Sequence, residues 1–469
     1  MNKNFFKNKN GQSIIEILVG ISILTIAISA GSLLFFSNQN LFLDQKNHLQ
    51  ALGLASECVE VTKQIFNRDW NEITAGNHGL LYASTTRKWS YSGSSDTTGI
   101  FTRVANIIVV SNQEKDLKCS VSWNTDPDRP QTISLYYRVS NWRGLYGDWS
   151  NPKTLGTVDL GAGNQGTDVR VRNKIVYVTT KASTSSKKDF HVVDATNGSA
   201  PFVIQSIDTS IGLNALDISG NYAYVAVGSD NKQFQIIDIT SNSNPFVVSS
   251  SSIPSSQAAL SIAYSNGYAF LGSQNSSSGK EFNIFNVSNP SSPSIVGSYE
   301  VGGSVTRVFL KDTYAYLTTT VDDGEIFVLN VSNPVSPTLV KKYDVYGTTD
   351  GASIDIVGNL LYYGSLHEYD PAGFEFNILD ISNLPTITST GTKDTASNIN
   401  DLYVKDYLVF MGTDDSNAEF KLYDISNPQN ITQVSTLNFP QVATGIDYEN
   451  NLIYVSLRSN DALRIVTSQ

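Results

Sequence analysis

From Ile14 to Phe36 the chain is apolar apart from Glu16 and small Ser, Thr and Gly residues. About 20 such residues span the hydrocarbon of a bilayer as a helix. The pattern therefore predicts a transmembrane helix. It continues without a break into an amphipathic stretch, Asn38 to about Asn67. There Leu52, Val59 and Phe66 recur at heptad spacing, with Ala55 and Thr62 on the same stripe. From about Trp70 to Trp149 the period falls to two. "GIFTRVANIIVVSN", "LKCSVSWN" and "QTISLYYRVSNW" alternate apolar and polar residues as half-buried strands do. A helix laid on an antiparallel sheet is the simplest burial of both faces, and the five Trp of this stretch read as core.

Beyond residue 151 one unit recurs. "QFQIIDITSNSNPFVVS", "EFNIFNVSNPSSPSIVG", "EIFVLNVSNPVSPTLVK" and "EFKLYDISNPQNITQVS" are four of its copies. The polar residue closing each copy's strand is Asp194, Asp238, Asn286, Asn330, Asp380, Asp424 or Thr467, spaced about 43 to 50 apart. Between the copies come hairpins such as "ISGNYAYVAV" and "VKDYLVFMGT", two apolar runs joined by a tight Gly/Asn/Asp turn. Strand-only content at this period marks a β-propeller. The inner runs are apolar on both faces, as packed blades require. Six outer strands follow the Asp/Asn-Ser-Asn-Pro turns, and the seventh unit ends without one. "NPKTLGTVDLG", Asn151 to Gly161, supplies the missing strand from upstream. A ring closed in this way exposes no sheet edge.

The overall fold expected is a long N-terminal α-helix with a small antiparallel sheet, an α+β module, followed by an all-β seven-bladed propeller. The segments are 1–11, a polar lysine-bearing stretch; 12–67, a transmembrane helix with its amphipathic continuation; 68–150, a β domain; and 151–469, the propeller.

Charge is uneven. Residues 1–151 sum to about +2 and residues 152–469 to about −13. An acidic C-terminal part argues against nucleic acid or anionic lipid as its partner. The two cysteines, Cys58 and Cys119, can form a disulfide if the mature chain lies outside the membrane.

The N-terminus resembles a type IV prepilin leader: Lys3, Lys7 and Lys9 without an acid, then Gly11, Gln12 and the apolar run with Glu16 fifth from Gln12. The basic flank itself places the N-terminus in the cytoplasm. The resemblance implies cleavage after Gly11 by a prepilin peptidase and methylation of the Gln12 amine. It implies too that Glu16 pairs with the N-terminal amine of a neighbouring pilin subunit. Gln12 departs from the Phe often found there. The stretch up to the V-S-W strand resembles small minor pilins. The 151–469 repeat resembles the LVIVD family of extracellular bacterial and archaeal proteins, without the Trp-Asp and Gly-His signatures of WD40 propellers.

Candidate chemistry is sparse. The four His (His48, His78, His191, His367) show no metal spacing, and no Ser/His/Asp or Cys/His arrangement is legible. No catalytic residue, metal or cofactor is assigned, and the chain reads as a non-enzyme. The Asp closing each repeat strand reads as an Asx turn. The loops of the opposite rim vary in length and carry Asp230, Asp322, Asp323, Tyr369, Asp370, Asp414 and Asp415. Rigid strands holding variable loops suit a binding face. The reading is a minor pilin-like surface protein displaying a propeller for adhesion or for binding an extracellular protein or glycan. It would sit in the inner membrane before assembly and then on the cell surface or a filament. The alternatives are a pilin-anchored propeller enzyme, a glycan lyase or hydrolase, and a type II secretion pseudopilin.

Overall fold

A computed structural model describes residues 14–68, 74–83, 88–111, 114–125, 130–140, 148–182, 187–209, 212–228, 231–345, 349–366 and 373–468. Two compact units, Met1–Leu145 and Tyr146–Gln469, divide the chain.

In the first unit the backbone from Ile14 to Arg68 is helical, with side chains described over 18–33 and 44–66. The expectation of a long helix with a small sheet, the α+β pilin-like class, is corrected. Strand dominates: the sheet of this unit has six strands, and four-stranded sheets make up most of the chain. Among the described residues no helix is long and apolar enough to cross a membrane. Gly11 and Gln12 lie outside the described residues, and so does the side chain of Glu16.

The sheet runs in the order Lys88–Ser92, Gly76–Ala83, Phe101–Ser111, Glu114–Asn124, Pro130–Ser140, with Asp96–Thr98 paired to the start of the third. The helix buries Ala51, Ala55, Cys58, Val61, Thr62 and Ile65. That stripe differs from the expected one: Leu52 is exposed, and Val59 and Phe66 are only half-buried. Small residues face the sheet because Phe101 and Trp123 fill the space opposite Ala51 and Ala55. Cys58 and Cys119 are joined in a disulfide with Cα atoms 6.0 Å apart, between helix and sheet. Beside it Arg103, 5% exposed, binds Glu57 at 2.8 Å and Asp96 at 2.9 Å.

The second unit is a ring of seven four-stranded antiparallel sheets. The innermost strands are Asn164–Arg172, Leu213–Ser219, Ala259–Ser265, Val305–Lys311, Gly351–Val357, Ile399–Lys405 and Ala443–Glu449. We number blades one to seven in that order. Each inner strand neighbours the next, and the seventh returns to the first. The second and third strands of each blade are buried on both faces, for example Tyr222–Val227 and Phe234–Asp238. Their apolar residues pack between neighbouring blades, as Tyr177 and Phe190 of blade one do with Leu216, Val225 and Ile237 of blade two. Lys153–Val158 pairs with Leu463–Thr467 and completes blade seven. Trp149, whose sequence position grouped it with the β domain, is 3% exposed within this unit. Its ring meets Phe410 edge-on at 4.9 Å, and its Nε1 donates to Asn451.

Candidate functional site

Every inner strand carries a bulge near its start, which turns one extra side chain toward the ring axis. Those side chains are Thr167, Asn214, Leu260, Thr306, Ala352, Asn400 and Thr444. Five of them donate a hydrogen bond to a backbone carbonyl of the next blade. Thr167 reaches Leu213, Asn214 reaches Ala259, Thr306 reaches Gly351, Asn400 reaches Ala443, and Thr444 reaches Gly166 across the closing seam. Leu260 and Ala352 have no donor. In their blades the following serine takes over: Ser261 donates to Val305 and Ser353 to Ile399. All seven seams therefore carry the same bond, from one of two positions.

Deeper lie five aspartates at two levels: Asp168 and Asp401 one residue past the bulge side chain, and Asp217, Asp355 and Asp447 three past it. In each, one oxygen accepts the N–H of the following residue. The other accepts an N–H of the next blade at 2.7 to 3.1 Å. Arg170 binds Asp168 at 2.9 Å, and Arg307 bridges Asp168 and Asp401. Burial raises the pKa of Asp447 to about 6 against the pull of Arg170. Burial likewise raises Asp217, Asp355 and Asp401. Burial opposes the charge of both arginines, but the surrounding carboxylates outweigh it and hold their pKa above the usual value. A cavity of about 170 Å³ remains among these groups. Each carboxylate already has two amide partners, so the layer works as a set of clamps between blades.

A third set of polar groups lies just before the third strand of blades one to six, with Ala462 at that place in blade seven. Asp189, Gln233, Glu281, Glu325, Glu375 and Glu419 are buried. Each accepts a backbone N–H from the crossover to the next blade, from Thr209, Ile253, Val301, Val345, Thr395 and Phe439 in turn. The residues closing the third strands, Asp194, Asp238, Asn286, Asn330, Asp380 and Asp424, accept the N–H two residues on at 2.7 to 3.0 Å. These are Asx turns, and they occupy the rim shared with the first hairpins.

The opposite rim holds a cavity of about 610 Å³. Gln165, Thr167, Asn214, Leu260, Thr306, Asn400 and Thr444 form its floor, and Lys181 and Arg458 stand at its edge. The described candidate loop residues, Asp322, Asp323, Asp414 and Asp415, lie on this rim. Asp322 and Asp323 are exposed on blade four, and Asp323 pairs with Lys342. On blade six Asp414 accepts the N–H of Asn398, and Asp415 pairs with Lys421 at 2.8 Å. The two acidic pairs are on different blades and do not converge. Asp230, Tyr369 and Asp370 lie outside the described residues. Among the described residues no group of His, Cys, Asp and Glu could hold a metal ion. His191 is buried between Thr180 and Ser206, and burial lowers its pKa to about 4.

Sequence reasoning missed the inner aspartates and the cation pair at the mouth. The aspartates do leave a signal, a lone acid inside an apolar strand, as in "LNALDIS", "SIDIV" and "GIDYE".

The LVIVD repeat family matches residues 214–251, 257–301 and 302–345, close to the bounds of blades two, three and four. No curated protein matches the chain. Among solved structures, the WD40 β-propeller domain of Doa1 is 12% identical, with a TM-score of 0.50 over 68% of this chain and 97% of that one. A catalytically inactive virginiamycin B lyase from Staphylococcus aureus, solved with quinupristin, is also 12% identical. Its TM-score is 0.52, over 68% of this chain and all of that one. The chain thus contains LVIVD repeats and folds as a β-propeller, and at this identity the likenesses speak to fold alone.

Proposed function

We propose that the protein is a minor type IV pilin-like surface protein whose propeller captures an extracellular glycan or protein. The observation that carries this reading is the contrast between the two rims. One repeats the same Asx turn from blade to blade. The other surrounds a cavity of about 610 Å³ with loops that differ in length and charge. Small-ligand sites are concave openings of this size, with polar groups that set orientation. The surface address comes from the prepilin-type residues Gly11, Gln12 and Glu16, with prepilin peptidase and other pilin subunits as partners. A disulfide between Cys58 and Cys119 suits an oxidising compartment.

Two measurements test the proposal. N-terminal mass spectrometry of surface-sheared material should find methylated Gln12, and an intact Met1 in assembled protein would refute the pilin reading. The purified full chain on a glycan and matrix-protein array should retain a ligand. Binding unaffected by substitutions on the variable rim, but abolished by changes at Asn333 and Asn427 without unfolding, would refute the face assignment.

A further inference from the structure

Acids line much of the open rim, Asp159 and Asp461 at the closing seam among them, and Asp461 pairs there with Arg464. Glu300, Asp322, Asp344, Asp394 and Asp414 belong to blades four to six and the crossovers that join or enter them. Lys181 and Arg458 belong to blades one and seven, on the two sides of the closing seam. Both are exposed, and among the described residues neither head group has a side-chain partner. Two facts place them together. Gln165 pairs directly with Lys181 across blade one. The next residue, Gly166, lies so close to blade seven that a Cβ there would sit 2.8 Å from the carbonyl oxygen of Leu457, the neighbour of Arg458. The seam is therefore a close backbone contact with a cation on either side and the Gln165 amide between them.

The floor of the same cavity offers a second kind of chemistry. Asn214 and Asn400 each commit one of their two Nδ2 hydrogens to the next blade. That leaves carbonyl oxygens as acceptors at the mouth, and Gln165 adds an amide. Acceptors of this sort suit the hydroxyls of a sugar. Below them the aspartate layer repels negative charge, so an anionic group is held at the rim while neutral hydroxyls face the floor.

We propose that the mouth of the channel at the seam of blades seven and one binds a carboxylate-bearing sugar, with Lys181 and Arg458 on the carboxylate and Gln165, Asn214 and Asn400 on the hydroxyls. The inference rests on the capture function proposed above and names its ligand class. Charge-assisted hydrogen bonds from two cations orient a carboxylate more firmly than neutral donors can.

The test is calorimetric titration of the purified full chain with oligogalacturonate, with its neutral methyl ester and with inorganic phosphate. Oligogalacturonate should bind, the ester at least tenfold more weakly, and phosphate alone more weakly still. K181A/R458A should lower oligogalacturonate affinity at least tenfold while leaving the circular dichroism and the unfolding midpoint unchanged. Equal binding of acid and ester, full affinity in the double variant, phosphate binding as tight as the oligomer, or no oligogalacturonate binding would each overturn the proposal. If the array retains a ligand whose binding depends on the loops of blades four and six and not on Lys181 or Arg458, the sugar assignment fails and the capture function stands. If the array retains nothing while oligogalacturonate binds as described, the array reading fails and this site stands.

Discussion

Replacing Glu325 with glutamine should stabilise the propeller at alkaline pH and have little effect at acid pH. Glu325 is 1% exposed. Its Oε2 accepts the Val345 N–H at 2.7 Å, while Oε1 is buried without a hydrogen-bond partner. Burial, with smaller contributions from Asp344 and Asp322, raises its pKa from 4.5 to about 7. A carboxyl whose folded pKa lies above its unfolded value favours the protonated fold. Stability is then greatest below the unfolded value and falls as pH rises toward the folded one. Between pH 5 and pH 8 the wild-type penalty grows by about 2.5 kcal/mol. Blade two already holds the variant's arrangement: Gln233 occupies the same place, and its Oε1 accepts the Ile253 N–H at 3.0 Å. Glu325→Gln should therefore keep the bond to Val345 and lose the charge. Urea unfolding followed by circular dichroism should show a gain of about 2.5 kcal/mol at pH 8 relative to that at pH 5. An equal difference at both pH values, or a loss at pH 8, would refute the reasoning.

Cys58→Ala should cost the first unit about 4 kcal/mol, from the loop of 61 residues that the disulfide closes; unfolding of that unit should then no longer respond to dithiothreitol. Asp401→Ala removes the acceptor of Leu402 and Ile446 and the partner of Arg307, and should destabilise the ring by roughly 3–5 kcal/mol in urea titration. Thr444→Val loses the bond to Gly166 across the closing seam and the contacts of the same hydroxyl with Ser456, and should cost about 1–2 kcal/mol. Gly297→Ala would set a Cβ 2.0 Å from the carbonyl oxygen of Pro334 and should cost about 1–3 kcal/mol. Gly53→Ala, with nothing within 4 Å, should be neutral or stabilising by up to about 1 kcal/mol.

The repeat was legible because each blade must bury two doubly apolar strands and then turn. Those demands write "YAYV", "FNIF" and "SNP" into the chain at a nearly fixed interval. The Asx turns were legible for the same reason, since Asp or Asn is the residue that can accept the N–H two positions on. Less of the first unit could be read. Gly76–Ala83 and Lys88–Ser92 include "GNHGLLYA", with neither clear alternation nor β-branched residues. The buried helix stripe runs through Ala51, Ala55 and Cys58, small residues that no hydrophobicity pattern singles out against Leu52. The mouth was illegible because Lys181 and Arg458 are 277 positions apart in the chain, and only closure of the ring makes them neighbours. The clamping aspartates were overlooked because one acid in a strand suggests a solvent-facing position. Here it marks the place where a strand meets the next blade instead of water.

Trp149 changes how tension would enter the propeller. A chain held by its N-terminus under flow is pulled upstream of Lys153, the first residue of the strand that closes blade seven. Pulled there directly, that strand would peel from Leu463–Thr467 one rung at a time, the weakest way to load an antiparallel pair. The pull reaches Trp149 first. Its indole is wedged against Phe410 and tied to Asn451, and its carbonyl accepts the Ser435 hydroxyl at 2.7 Å. Phe410 and Ser435 belong to blade six and Asn451 to blade seven. The load is thus spread over two blades before it reaches the zipper, and the tryptophan acts as the cleat on which the rope is made fast.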